Sequence, residues 1–179
     1  MKIVNYKENP SIKKEIKSLY ISAFPSEERP PVFYFFLMAE KPNVELYAFY
    51  DNNKFIGFTN LLYYEDICYI FFLAIAKKER NKGYGTQILN LIKEMNPNKV
   101  LIICFEEVDP KYIDFEIRKR RENFYLRNGF KPNDLKTCEY GVRYDTVYYG
   151  KHKIKFDDYL NIFLSTYGDR SKTYIKEAK

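Results

Sequence analysis

The sequence predicts an α/β (α+β) fold, a central mixed and twisted β-sheet of about six or seven strands with helices on both faces. Aromatic and β-branched runs alternate along the chain with segments of helical periodicity. Two runs, "YIFFLAIA" and "KVLIICFE", are almost continuously apolar, as strands buried on both faces are. Because a helical segment separates them, they should form a right-handed parallel βαβ unit.

The N-terminal third supplies a strand, two helices and a hairpin. Residues 2–6 predict the first strand, and Pro10 opens a helix with Ser11 as its N-cap. Apolar side chains then recur at three- and four-residue steps until Pro25 ends this helix. A second helix begins at two adjacent prolines and runs through "VFYFFLMAEK". The runs "VELYAFY" and "FIGFTNLLYY" enclose the polar turn "DNNK" and predict a hairpin.

The remaining elements follow in the same way. The helix between the two buried strands stops at Asn96-Pro97, and another helix ends before Gly129, which suits the C′ position. Strands follow, and "DDYLNIFLSTYG" predicts a last helix within 151–169. Residues 170–179 are polar and are expected to fray. We predict one domain over 1–179, a length that allows a sizeable core.

Composition narrows the class of protein. The net charge of +6 permits nucleic-acid binding, but no zinc-finger, RNP or KH pattern appears, so no nucleic-acid partner is expected. Cys68, Cys104 and Cys138 have no motif spacing and are expected to be free thiols in a reducing cytoplasm. With His152 as the one histidine, no metal site is expected. No apolar run is long enough for a membrane span, and the N-terminus lacks the apolar core of a signal peptide.

The stretch "RNKGYGTQ", residues 80–87, is the strongest local signal. It joins a buried strand to a helix, and its glycines allow close backbone approach. The N–H groups and the positive dipole end of the helix make an anion site suited to phosphate. The Gly-Lys-Ser/Thr end of a Walker A loop is absent, and Ile88 stands where a dinucleotide fingerprint needs its third glycine. Taken alone, the glycines leave an ordinary strand-to-helix turn open.

Two motifs together resemble the GNAT N-acetyltransferase superfamily. In "LAIAKKERNKGYGTQIL", Arg80, Gly83 and Gly85 fall in the three fixed places of that family's Arg/Gln-Xaa-Xaa-Gly-Xaa-Gly/Ala motif. One strand later, "NFYLRNGF" is similar to the family's second motif, a Phe-Tyr pair before Asn-Gly-Phe. The resemblance covers roughly residues 1–150 and implies the GNAT fold, with strands 4 and 5 parallel and splayed.

The resemblance also implies the co-substrate, acetyl-CoA, and where it binds. Its pyrophosphate would lie on the glycine loop, and its pantetheine arm would lie along strand 4, with the Leu73 N–H as an oxyanion donor. The residues implied for the cofactor are Leu73, Ala74, Ile75, Arg80, Asn81, Lys82, Gly83, Tyr84, Gly85 and Thr86. The arginines Arg118 and Arg121 depart from the family pattern, because many members carry Asn and Ala in those two places.

The resemblance assigns catalytic roles as well. Tyr125 matches the family's general-acid tyrosine, which protonates the departing CoA thiolate. A carboxylate at the end of strand 4 or 5 often serves as the base, and of the two in "CFEEV" we prefer Glu106 as the catalytic base. Glu27 and Glu28, in "FPSEERPP", fall where family members form the acceptor wall and could attract a cationic amine.

We therefore predict a cytoplasmic acyltransferase that moves an acetyl group from acetyl-CoA to a primary amine by direct attack. The acceptor, a small molecule or a peptide, is not defined by the sequence, and a homodimer is compatible with it. Two alternatives stay open: a GNAT-fold module that binds CoA without turnover, and a basic nucleic-acid-binding protein. The nucleic-acid-binding alternative explains the net positive charge but gives the two motifs no role.

Overall fold

The structure is a computed structural model that describes residues 1–26 and 29–178. One eight-stranded sheet with flanking helices runs through it, which confirms the predicted mixed α/β class. The prediction of six or seven strands was too low, because residues 175–177 of the tail expected to fray form a further strand. The strands are β1 (Lys2–Asn5), β2 (Val44–Asp51), β3 (Lys54–Tyr64), β4 (Ile67–Ile75), β5 (Val100–Glu106), β6 (Lys131–Glu139), β7 (Val142–Tyr149) and β8 (Ile175–Glu177). The helices are α1 (Lys13–Ala23), α2 (Val32–Ala39), α3 (Tyr84–Met95), α4 (Phe115–Arg127), α5 (Phe156–Tyr167) and α6 (Ser171–Tyr174).

The strand order in the sheet is β1-β2-β3-β4-β5-β7-β6-β8. The predicted hairpin is present, because β2 and β3 pair in antiparallel register with a bulge at Phe49 and Tyr50. Strands β4 and β5 are parallel, as predicted, and their register joins Ile67–Tyr69 to Val100–Ile102. The crossover between them contains α3, which is the βαβ unit expected from the sequence.

The chain groups into two compact units, the first made of Met1–Leu62 and Ile70–Met95. Its core lies where α1 and α2 cover the sheet, and it is dominated by aromatic side chains. Tyr20 is fully buried and stacks on Phe35 with ring centroids 4.2 Å apart, while Phe72 meets its edge at 5.2 Å. The Tyr20 hydroxyl donates a hydrogen bond to the Pro30 carbonyl, so the polar end of this buried ring is satisfied.

The second unit contains Tyr63–Tyr69 and the chain from Asn96 onward. Helix α5 packs on β4, where the Tyr69 ring meets the rings of Tyr159 at 5.5 Å and Phe163 at 5.8 Å. Helix α4 packs through Tyr125, whose ring stacks on Phe105 of β5. That the whole chain acts as one domain stays a prediction.

The first helix begins later than the sequence indicates. Residues Pro10–Ile12 form a 3₁₀ turn, and α1 starts at Lys13. The predicted cap, Ser11, is wrong, because Asn9 holds the cap position and its side chain accepts a hydrogen bond from the Ser11 N–H at 3.2 Å. Asparagine is as good a cap as serine, so the cap moved to the side chain that precedes Pro10.

The C-terminal tail is ordered, so the frayed segment predicted for 170–179 is wrong over the part that the structure describes. Residues 171–174 form α6, and β8 pairs with β6 through Ile175 and Glu139. Ile175 is buried and the Tyr174 ring stacks on Tyr140 with centroids 4.7 Å apart. A tail that is polar overall is held by two apolar contacts and by backbone pairing, which composition does not reveal.

Among the residues that the structure describes, no helix is long and apolar enough to cross a membrane. The same residues contain no group of three or more His, Cys, Asp or Glu side chains arranged to hold a metal ion.

Candidate active site

The glycine loop joins β4 to α3. A 3₁₀ turn at Lys77–Glu79 leads into the loop, and α3 begins at Tyr84. Two loop residues have left-handed backbone conformations, Asn81 with φ of 61° and Gly83 with φ of 82°. Glycine adopts this conformation without strain and asparagine tolerates it better than most residues, which explains why the sequence has them here. The loop therefore presents backbone N–H groups at the start of a 12-residue helix.

Side chains on both sides anchor this loop. The Arg80 Nε donates to the Ile75 carbonyl at 3.1 Å, and the Tyr84 hydroxyl donates to Asp51 Oδ2 at 2.8 Å. The hydrogen bond to Asp51 and burial raise the pKa of Tyr84, so its hydroxyl stays a donor. The loop is thus fixed to the end of β4 and to the β2–β3 hairpin before any ligand arrives.

The backbone of β4 has two distinct edges. The Phe72 carbonyl accepts a hydrogen bond from the Thr59 hydroxyl of β3, and the Ala74 carbonyl lies against Gly57, where a Cβ would collide with it. Because successive residues of a strand point their backbone groups to alternate edges, those of Leu73 and Ile75 point away from β3. Leu73 and Ile75 are also among the residues that the family resemblance implies for the coenzyme.

Tyr125 is buried in the last turn of α4, with 8% of its surface exposed. Its ring stacks on Phe105 at 5.6 Å and meets the edge of Phe130 at 6.1 Å. Its hydroxyl has no hydrogen-bond partner within residues 1–26 and 29–178. Burial raises the pKa of Tyr125 above its ordinary value, against the opposing charge of Arg121. A buried ring with a protonated, uncommitted hydroxyl fits a proton donor.

Glu106 ends β5 next to two arginines of α4. Arg121 Nη1 donates to its Oε2 at 2.5 Å, and Arg118 Nη2 lies 3.5 Å from its Oε1. Both carboxylate oxygens are therefore ion-paired. The sequence singled out these arginines as departures from the family pattern but did not pair them with Glu106.

Two further glutamates of the same unit have opposite environments. Burial opposes the charge of Glu107, but hydrogen bonds from Lys111, Lys136 and Arg143 outweigh it and lower its pKa to about 2. In contrast, burial raises the pKa of Glu139 to about 7, only partly offset by hydrogen bonds from Tyr159 and Thr137. The sequence does not reveal these three-dimensional surroundings, because Lys136 and Arg143 reach Glu107, and Tyr159 reaches Glu139, from distant segments.

The structure places the predicted site residues as follows. The loop residues and the end of β4 lie together in the first unit, and Tyr125 lies near Glu106 in the second, with Arg121 beside both. Glu27 and Glu28, predicted for the acceptor wall, lie outside the described residues. Glu79 and Lys54, which border the glycine loop, were missed by sequence reasoning because no motif marks them.

A sequence model of the Acetyltransferase (GNAT) family matches residues 12–130, about two-thirds of the chain. The chain belongs to the GNAT acetyltransferase family, and as a member it is an acyltransferase that transfers groups other than aminoacyl groups. This confirms the resemblance carried by the two motifs. No curated protein matches the chain in sequence.

Solved structures agree on the fold. A protein of Bacteroides thetaiotaomicron assigned to the GNAT acetyltransferases is 22% identical, with TM-score 0.77, over 94% of this chain and 99% of that one. An aminoglycoside 6′-N-acetyltransferase complexed with coenzyme A is 15% identical, with TM-score 0.67, over 83% and 96%. A variant of a spermidine N-acetyltransferase from Vibrio cholerae is 10% identical, with TM-score 0.62, over 83% and 94%. At these identities the likenesses establish the fold and leave the substrate open.

Proposed function

We propose that this protein transfers the acetyl group of acetyl-CoA to a primary amine by direct attack on the thioester. The amine nitrogen attacks the acetyl carbon, the C–N bond forms, and the C–S bond breaks. Tyr125 gives its proton to the departing thiolate, and the amine loses a proton to a base or to water. Membership of the family supports acetyl transfer, and the uncommitted hydroxyl of Tyr125 supports its role as the acid.

The observation that carries this proposal is the glycine loop at the start of α3. It combines left-handed backbone at Asn81 and Gly83, a helix N-terminus, and the positive side chains of Arg80 and Lys82. Such a combination binds phosphate groups well, and acetyl-CoA carries a pyrophosphate. The solved relative with bound coenzyme A has the same fold, which makes this the first ligand to test.

We expect Gly85→Glu to abolish acetyl-CoA binding, because it adds bulk and negative charge in the first turn of α3. Isothermal titration calorimetry with acetyl-CoA measures the affinity directly. The matched control is Asn90→Glu, which adds the same charge to an exposed position later in the same helix and should leave the affinity within about twofold. Unchanged affinity in Gly85→Glu would remove the loop from the coenzyme site.

The acceptor is proposed as a small molecule or peptide with a primary amine. Family relatives of the same fold include enzymes named for aminoglycosides and for spermidine, so polyamines and amino sugars form the first panel.

Glu106 remains the base predicted from the sequence, with Glu27 and Glu28 as acceptor contacts. All three cysteines are free thiols, which supports the proposed cytoplasmic location.

A second candidate function is coenzyme binding without turnover. It is favoured by one observation, the pairing of both Glu106 oxygens with arginines, which leaves the predicted base already neutralised by cations. This alternative keeps acetyl-CoA binding and predicts no thiol release with any amine.

A further inference from the structure

Glu79 is a buried carboxylate directly beside the glycine loop. It is 3% exposed and lies at the end of the 3₁₀ turn that leads into the loop. An anion is unexpected at a place where phosphate groups should bind, since like charges repel. Burying a carboxylate is also unfavourable unless cations compensate it. Its presence therefore calls for a physical reason.

Two lysines compensate Glu79, one at each oxygen. Lys54 Nζ lies 2.5 Å from Oε1, and Lys82 Nζ lies 3.1 Å from Oε2. The second contact is a hydrogen bond, and the first is an ion pair. The ammonium groups of Lys54 and Lys82 lower the pKa of Glu79, so the carboxylate stays charged.

This arrangement fixes two cations at the edge of the loop. Lys54 is the first residue of β3. It lies in the same hairpin as Asp51, which accepts a hydrogen bond from the Tyr84 hydroxyl. The Lys54 and Lys82 side chains are 60% and 52% exposed, so both ammonium groups can meet a ligand from solvent. Two positive charges on one carboxylate leave one positive charge in excess. Holding the flexible lysines in place reduces the rotamer entropy that a ligand would otherwise have to remove.

We propose that Lys54 is a phosphate-binding residue of the coenzyme site, and that Glu79 is a positioning residue that holds Lys54 beside Lys82. The inference rests on the proposed binding of acetyl-CoA and adds a hairpin residue that no glycine-loop motif contains. The phosphate concerned is either the pyrophosphate or the 3′-phosphate of the coenzyme.

The first test is the affinity of Lys54→Gln for acetyl-CoA by calorimetry. We expect its Kd to rise about five- to tenfold, the size of one ordinary hydrogen bond, because solvent weakens the charged contact at a partly exposed site. The matched control is Lys78→Gln, which removes the same charge from an exposed position one residue before Glu79 and should change Kd by less than about twofold. Equal Kd values for Lys54→Gln and the wild type would overturn the proposal, and so would equal losses in the two variants.

Titration with acetyl-3′-dephospho-CoA identifies the phosphate. If the loss caused by Lys54→Gln disappears with this analogue, Lys54 binds the 3′-phosphate; if it persists, Lys54 binds the pyrophosphate. Either result supports a phosphate contact. If the wild type itself binds no acetyl-CoA, the proposed function fails first, and this inference fails with it.

Glu79→Gln tests the positioning role by the sign of its effect. Removing a negative charge near phosphate should tighten acetyl-CoA binding if charge alone matters. A positioning role predicts the opposite, a weaker affinity at unchanged kcat, and a smaller effect of Glu79→Gln when Lys54 is already Gln. Tighter binding by Glu79→Gln would overturn the role of Glu79. Lys54 lies at an exposed position, so Lys54→Gln remains decisive for the phosphate contact if Glu79→Gln does not fold.

Discussion

At the scale of single residues, tyrosines differ by what their hydroxyls do. The chain has 18 tyrosines, and burial alone does not separate them, because some rings lie in the core and others at the surface. The Tyr84 hydroxyl donates to Asp51 and the Tyr159 hydroxyl donates to Glu139, so both protons are committed. Tyr125 has a buried ring and a hydroxyl without a hydrogen-bond partner in the described part of the chain. Its raised pKa keeps this proton in place at neutral pH, which is the protonation state that a proton donor needs.

We expect Tyr125→Phe to lower kcat by about 100-fold, the lower end of what general acids contribute, and to change acetyl-CoA affinity by less than about twofold. The ring and its packing on Phe105 are kept, so only the proton is lost. Steady-state kinetics and calorimetry separate the two quantities. Tyr149→Phe, which removes a hydroxyl from another ring that contacts Phe130, is the control. Equal turnover by wild type and Tyr125→Phe would exclude Tyr125 as the acid.

At the scale of elements, buried polar contacts tie strands to helices. Glu139, at the end of β6, accepts a hydrogen bond from Tyr159 of α5, whose hydroxyl lies 3.3 Å from that of Tyr69 in β4. Within the described residues, no Lys or Arg side chain forms an ion pair with Glu139. Glu107, in contrast, forms ion pairs with three cations: Lys111 from the loop before α4, Lys136 of β6 and Arg143 of β7. The same residue type therefore titrates near pH 7 in one place and near pH 2 in the other.

These shifts predict how stability depends on pH. The pKa of Glu139 is about 7 in the folded protein and 4.5 in the unfolded chain. Its contribution to the free energy of unfolding is therefore fully present below about pH 4.5 and is lost as the pH rises through 7. Relative to the wild type, Glu139→Gln should gain about 1–3 kcal/mol of unfolding free energy between pH 4.5 and pH 8. Urea denaturation at both pH values measures this difference.

The control for this experiment is Glu177→Gln, an exposed glutamate in the neighbouring strand β8. Its stability relative to the wild type should be the same at both pH values. A flat difference for Glu139→Gln as well would mean that the Glu139 carboxyl is solvated and does not titrate near neutrality.

At the scale of the whole molecule, turnover decides between an enzyme and a coenzyme-binding module. We expect CoA thiol to be released from acetyl-CoA when the protein is mixed with spermidine, an aminoglycoside or a peptide with a free amine. A thiol-reactive chromophore follows the reaction, and Tyr125→Phe serves as the matched control of low activity. Binding of acetyl-CoA without thiol release on the whole panel would favour the second candidate function.

Much of the fold follows from local pattern. The hairpin at "DNNK", the two apolar strands and the helix after the glycines were predicted because apolar spacing and turn residues act over short distances. The order of the tail could not be predicted in this way. Ile175 and Tyr174 are two apolar residues in a polar stretch. The burial of Ile175 depends on β6 and the stacking of Tyr174 depends on Tyr140, both more than 30 residues away in sequence.

The sequence by itself determined the family, the glycine loop and the tyrosine of the second motif, because these rest on residue types at fixed spacing along one segment. Tertiary structure decided what each charged residue does. It paired Glu106 with Arg118 and Arg121, left Glu139 without a cation, and brought Lys54 of the hairpin to Glu79. Charge pairing depends on distance in space, and a buried carboxylate takes its pKa from whichever groups folding brings within a few ångströms.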